Sequence, residues 1–143
     1  MSFAAALLLT LAPAQAEDAA AELHPIAATV KKSLEQGGMK ADRPFTLIVD
    51  VNCDDAKGAI AAYRGAAEKT RAEEGNMQYD LHRSATEPSK FLLIERWKSV
   101  DALDQHLKAD YTAEYVGFLE ANATIELRVM RPVPKKAPKR KAK

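Results

Sequence analysis

One cysteine and three histidines are all the thiol and imidazole ligands that this chain offers, and that scarcity removes several classes of function at once. The lone Cys53 has no partner for an internal disulfide, so its expected role is a small buried thiol. His24, His82 and His106 are far apart, and no His/Cys/Asp/Glu group shows ligand spacing, so no metal site is expected. His24 and His82 read as solvated surface residues. No glycine-rich phosphate loop is present, and the order of elements supports no Ser-His-Asp arrangement. A long apolar run is missing too: residues 3–11 are too few for a permanent membrane span. Neither sign of charge dominates, since 21 Lys and Arg face 20 Asp and Glu. That balance conceals an asymmetry. Residues 132–143 hold six basic residues and no acid, leaving 15 basic against 20 acidic in the rest. A nucleic-acid-binding domain places basic surface on its fold, so no specific nucleic-acid partner is expected.

What is present fits one soluble domain. The 143 residues, 47% hydrophobic and 29% charged, suffice for a single core. Residues 1–16 read as a secretory signal peptide. Its apolar run ends in Ala14-Gln15-Ala16, a small-x-small cleavage pattern followed by Glu17-Asp18, although no Lys or Arg precedes the run. Export to the periplasm or the exterior follows, with Glu17 as the mature N-terminus. Residues 17–44 form a helical extension with Ile26, Val30 and Leu34 at i, i+4 and i+8, opened by Pro25 and closed by Gly37-Gly38. It is expected to pack on the domain as an appendage outside the core. The domain spans 45–131. The Lys/Pro/Ala tail 132–143 is disordered by composition, and its charge suits an anionic envelope surface.

Within the domain the apolar period changes element by element. Leu47, Val49 and Val51 alternate with Ile48, Asp50 and Asn52, giving a first strand. Asp54 or Asp55 caps a helix running to about Glu73, with Ile60, Tyr63, Ala67 and Thr70 inward. Gly75 ends it. Met77, Tyr79 and Leu81 mark the dry face of a second strand, and a polar hairpin over 84–90 leads to a third. There Phe91, Leu93, Glu95 and Trp97 share one side. From Ser99, an N-cap, the period becomes helical, with Val100, Leu103 and Leu107 in one stripe and His106 on its edge. Tyr111, Tyr115, Phe118 and Leu119 extend that helical region past a break at Asp110. Ile125, Leu127 and Val129 make the fourth strand, stopped by Pro132. The order β-α-β-β-α-β is that of an α+β, ferredoxin-like fold with a four-stranded antiparallel sheet. Ile48, Leu92 and Ile94 remain on the sheet face that two helices do not cover, which points to a homodimer.

Three runs carry a resemblance: Glu74-Gly75-Asn76-Met77-Gln78-Tyr79-Asp80-Leu81, Phe91-Leu92-Leu93-Ile94-Glu95-Arg96-Trp97 and Ala102-Leu103-Asp104-Gln105-His106-Leu107. The pattern of a glycine turn, a strand ending in Glu-x-Trp and a helix with Ala-Leu-x-x-His resembles the antibiotic biosynthesis monooxygenase (ABM) family over about residues 45–131. The resemblance implies a dimeric α+β barrel. It also implies one of several activities: oxidation of quinols or polyphenols by O2 without metal or flavin, haem degradation, or small-molecule isomerisation. The haem-degrading branch has a proximal His one helical repeat beyond His106, where this chain has Tyr115-Val116-Gly117. Asn52 matches the strand Asn of that branch. The aromatic-polyketide monooxygenases have an Asn where this chain has Leu93.

Cofactor-free oxygenation requires a substrate anion able to give an electron to O2. The protein supplies a base near neutral pKa, an aromatic-lined apolar pocket and a donor for the oxyanion. His106 is the candidate base, its ordinary pKa being about 6.5. Trp97 and Tyr79 could stack a flat substrate, and Arg83 or Asn52 could hydrogen-bond a substrate oxygen. Glu95 is a candidate substrate-binding residue beside them. A structural account stands against each role: His106 bonded to Glu95 as a strand-to-helix link, Trp97 in the core or dimer interface, and Tyr79 in the core. The functional expectation is a quinol- or phenol-oxidising monooxygenase without cofactor; the alternative is a non-catalytic small-molecule-binding or structural member of the fold.

Overall fold

Alternating burial along the strands decides which way every sheet residue faces. In the computed structural model, which describes residues 22–133 and 135, the first strand β1 (Phe45–Cys53) buries Phe45, Leu47, Val49, Val51 and Cys53. Its partner β3 (Lys90–Trp97) buries Phe91, Leu93, Glu95 and Trp97 in matching phase. The two pair antiparallel with Phe45 opposite Trp97 and Leu47 opposite Glu95. β2 (Asn76–Arg83) flanks β3, and β4 (Ala123–Met130) flanks β1, so the antiparallel sheet runs β2-β3-β1-β4. This is the split βαβ order of the ferredoxin-like fold, as the period changes imply. The expected signal peptide and most of the basic tail lie outside the described residues.

Helix α2 (Ala56–Arg71) crosses from β1 to β2. Asp55 caps it by accepting a hydrogen bond from Gly58 N–H at 2.9 Å, and Ala59, Tyr63, Ala66, Ala67 and Thr70 form its buried stripe. Ile60, expected in that stripe, is half-buried at its edge. The second helical region divides as expected at Asp110, into α3 (Val100–Leu107) and α4 (Asp110–Asn122). Ser99 Oγ caps α3 by accepting from Ala102 N–H at 3.2 Å. Gly75, in the turn before β2, is required by close approach, because a Cβ there would lie 2.3 Å from the Ala102 Cβ.

Three local expectations need correction. Met77 is exposed, not inward. A bulge between Asn76 and Gln78 places both Asn76–Trp97 and Gln78–Arg96 in register, leaving Met77 as the extra residue and shifting the phase of the strand start. The N-terminal helix α1 (Pro25–Gln36) is no appendage either. Ala27, Val30 and Leu34 are 0%, 1% and 1% exposed and belong to the core, because the stripe at i, i+3, i+7 packs on α3 and β4. Burying side chains such as Val30 and Leu34 is worth roughly 1.5–3 kcal/mol each, so α1 is a structural element of the domain. His24, expected on the solvated surface, is half-buried and caps this helix, its Nδ1 accepting from Ile26 N–H at 3.2 Å.

The opposite face of the sheet carries Ile48, Leu92 and Ile94, each half-buried, with Ile48 directly opposite Ile94. Asp50 and Arg128 form an ion pair beside them at 2.7 Å. No helix of the described residues covers this face, and all four helices pack on the other.

Candidate functional site

Side chains from four elements converge between the sheet and α3–α4. β3 contributes Glu95 and Trp97, two residues apart and therefore on the same side of the strand. β2 contributes Tyr79 and α3 contributes His106. The turn after α2 contributes Glu73, and the first turns of α4 contribute Tyr111 and Thr112.

His106 is at the centre and only 2% exposed. Its ring centroid lies 4.6 Å from that of Trp97 and 5.6 Å from that of Tyr79, which meets it edge-on. Both of its recorded hydrogen bonds are made at Nδ1, 2.8 Å from Glu73 Oε1 and 3.2 Å from Thr112 Oγ1. A carboxylate only accepts, so the proton of the neutral imidazole belongs on Nδ1 and the lone pair on Nε2. Glu73 is itself held by Tyr111, whose hydroxyl donates to the same Oε1 at 2.5 Å. The expected His106–Glu95 bond is not formed. Glu95 Oε2 instead accepts from the Trp97 indole N–H at 2.9 Å, since residues i and i+2 of a strand are neighbours on one face.

Burial sets the proton affinities here. It lowers the His106 pKa from its ordinary value, partly opposed by the hydrogen bond and charge of Glu73. It raises the Glu95 carboxyl to about 7, against the pull of the Trp97 hydrogen bond and with a further push from the charge of Glu73. Tyr111 is pushed up to about 12, by burial first and then by Glu73. Burial, and then the charge of Glu95, raises the phenols of Tyr79 and Tyr115, so both stay protonated at physiological pH. His106 and Glu95 both face one cavity of about 50 Å³, whose walls are otherwise mainly aliphatic, among them Leu47, Val49, Leu93, Leu103 and Leu107.

Of the sequence candidates, His106, Trp97, Tyr79 and Glu95 therefore come together, and Asn52 and Arg83 do not join them. Asn52 is exposed on the uncovered face of the sheet, in phase with Ile48 and Asp50. Arg83 ends β2, lies 5.6 Å over the Phe91 ring and donates from Nε to the Pro88 carbonyl at 2.8 Å. Glu73 and Thr112 were not singled out by the sequence, and Tyr111 was read only as part of a helical stripe. Glu73 sits in the polar run Glu73-Glu74-Gly75, where no periodicity marks one carboxylate as different from the next.

The comparison with known proteins fits this geometry. Residues 49–117 match the model of the family described as "Antibiotic biosynthesis monooxygenase". This stretch matches the ABM family. Among related sequences, the protein of Bacillus subtilis named "Putative monooxygenase YcnE" is 40% identical over 60 residues, which are 42% of this chain and 60% of that one. An uncharacterised protein of Synechocystis, sll1783, is 31% identical over 86 residues, 59% of this chain and 58% of its own. The chain thus spans about three fifths of the length of these curated relatives. Among solved structures, a conserved protein of unknown function from Bacteroides thetaiotaomicron is 28% identical with a TM-score of 0.59, covering 63% of this chain and 98% of that one. The ABM match and the ferredoxin-like α+β fold agree with the expectation from Glu95-x-Trp97 and His106.

Proposed function

We propose that this protein is an exported, cofactor-independent monooxygenase that oxidises a quinol or related phenolic compound with O2, and that it acts as a homodimer with His106 as general base. One observation carries the proposal: Nδ1 of a buried histidine is tied to Glu73, while its ring packs on Trp97 and borders an apolar cavity beside Tyr79 and Glu95. Nε2 is then the nitrogen that takes the substrate proton, and Glu73 stabilises the imidazolium that results. The substrate anion, formed where water is scarce, gives an electron to O2. A protonated Glu95 supplies a donor for a substrate oxygen. His106 is kept neutral by burial, and hence is able to accept a proton, over the physiological range.

The size of the cavity favours a second reading, a non-catalytic binder or structural member of the fold. At about 50 Å³ it is well below the roughly 300–1,000 Å³ of ordinary ligand sites, so a quinol enters only if α3 and α4 move apart. Oxygen uptake by metal-free protein across a panel of hydroquinones separates the two. Uptake that depends on His106 is expected; binding without uptake across the panel would leave the scaffold reading. The dimer rests on Ile48, Leu92 and Ile94, and a stable monomer in sedimentation at micromolar concentration would remove it. Export rests on Ala14-Gln15-Ala16, with Glu17 expected as the N-terminus of protein from its native host. On this reading the basic tail contacts the anionic envelope surface by charge.

A further inference from the structure

The wall of the cavity includes one side chain from the N-terminal helix, which precedes the β-α-β-β-α-β domain. Ile26, the second residue of α1, borders the same space as His106, Glu95 and Tyr79, although the family match begins only at residue 49. The solved relative from Bacteroides thetaiotaomicron is covered over nearly its whole length by 63% of this chain, so the described residues include structure beyond what the shared domain needs.

The start of α1 is fixed by the helix that carries His106. The backbone N–H of His24 donates to Asp104 Oδ1 at 2.7 Å. Lys108 Nζ donates to Asp104 Oδ2 at 2.6 Å and to the Glu22 carbonyl at 3.0 Å. On α3, Leu103, His106 and Leu107 face the cavity while Asp104, with Lys108 at the C-cap, holds the incoming chain. Ala27, Val30 and Leu34 then anchor the rest of α1 in the core. Ile26 is thereby held at a fixed distance from His106, as a wall and not as a loose flap.

We infer that α1 sets the size of ligand this cavity accepts, with Ile26 as the specificity-determining side chain, and that the ligand is a planar aromatic of a single ring. The inference rests on the proposed function only in placing the ligand in this cavity. With about 50 Å³ open at rest, a single ring enters only as α3 and α4 move apart, and a second fused ring must displace the Ile26 side chain as well. A cavity of about 150 Å³ lined by aliphatic and aromatic side chains is known to take up benzene, so one ring already fills more than the resting space, and the three outer carbons of Ile26 are what a second ring must replace.

The test compares the binding of phenol and 1-naphthol to the full-length protein and to Ile26→Ala and Ile26→Val, by calorimetry or by NMR shifts of the cavity residues. Binding, not turnover, is the readout, so the result does not depend on catalysis. Each methylene in an apolar pocket discriminates by about tenfold or more. The unaltered protein is expected to favour phenol. The preference should move toward 1-naphthol by about tenfold in Ile26→Val and further in Ile26→Ala. The valine variant keeps the comparison interpretable if the alanine variant folds poorly. An unchanged phenol-to-naphthol ratio in variants that bind both would overturn the role of Ile26 and leave the proposed function standing. Absence of binding by all three proteins would overturn the cavity as a ligand site, and with it both readings.

Discussion

Two glutamates flank the same pair of aromatic rings and behave differently. Glu73 comes from an irregular turn, keeps a fifth of its side chain exposed, and meets two donors, the His106 ring and the Tyr111 hydroxyl. Glu95 comes from the middle of the sheet, is 6% exposed, and meets the single indole N–H of Trp97. Contact with water and the number of donors decide the outcome. Glu73 can serve as the anion that orients and supports an imidazolium. Glu95, at about 7, holds its proton through much of the neutral range and is the donor of the pair. One corner of the fold thereby contains both a hydrogen-bonded orienter of the base and a neutral acid.

Removing the ring between them is the largest perturbation. His106→Ala should lower quinol turnover about 10²- to 10⁴-fold if the imidazole is the base. Stability should fall too, by about 1–3 kcal/mol, because a hydrogen bond is lost and a gap opens between Trp97 and Tyr79. Thermal midpoint and oxygen uptake measured on one preparation separate the effects. Unchanged uptake per folded molecule would make His106 a packing residue and nothing more.

Glu95→Gln tests the buried carboxyl by its pH dependence. In the unfolded chain this group ionises near 4.5, and in the folded chain near 7. Between those values the folded protein keeps a proton that the unfolded chain has released, so its contribution makes stability fall as pH rises through the interval. The full interval is worth about 3 kcal/mol. His106 has the opposite sign: its lowered pKa means that stability from this ring is lost as pH falls below about 6.5. The glutamine variant should lose the first slope and keep the second. Urea denaturation at pH 5, 6.5 and 8 should then show it more stable than the parent at pH 8, by up to about 3 kcal/mol. A variant with the parent's decline between pH 5 and pH 8 would show that Glu95 is ionised in the fold at ordinary acidity.

The contrast between these two carboxylates also marks what the sequence could disclose. Strand phase was legible wherever alternation was unbroken, which is why Glu95 and Trp97 were placed together beside His106. The same alternation puts Asn52 with Ile48 and Asp50, so its position on the uncovered face could have been read from the strand itself. Glu95 bonding to Trp97 was equally implicit in their spacing of two residues. Met77 was misplaced because a bulge leaves no compositional mark at that position. The membership of α1 in the core was obscured because its stripe of Ala27, Val30 and Leu34 looks the same whether it packs on a domain or within one. Glu73 was beyond reach. Its contact with His106, 33 residues away, depends on where a turn ends, and turns carry no period.

Glu73→Gln gives the smallest of these effects and the sharpest reading of the comparison. The amide keeps a carbonyl oxygen that can accept from Nδ1 and from the Tyr111 hydroxyl, so the ring orientation and the Nδ1–H tautomer should survive. The negative charge does not. A hydrogen bond to a charged group is worth about 1.5–3 kcal/mol and a neutral one about 1, so the imidazolium should lose on the order of 1 kcal/mol of support. Maximal turnover should then fall by about five- to tenfold, far less than in His106→Ala. The charge of Glu73 raises the His106 pKa alongside the hydrogen bond, so loss of the charge lets burial act with less opposition. The acid limb of the pH–rate profile should therefore move to lower pH in the variant. A profile that kept its acid limb while turnover fell would mean that Glu73 only positions the ring. A limb displaced downward together with a modest loss of rate requires the carboxylate to act through its charge.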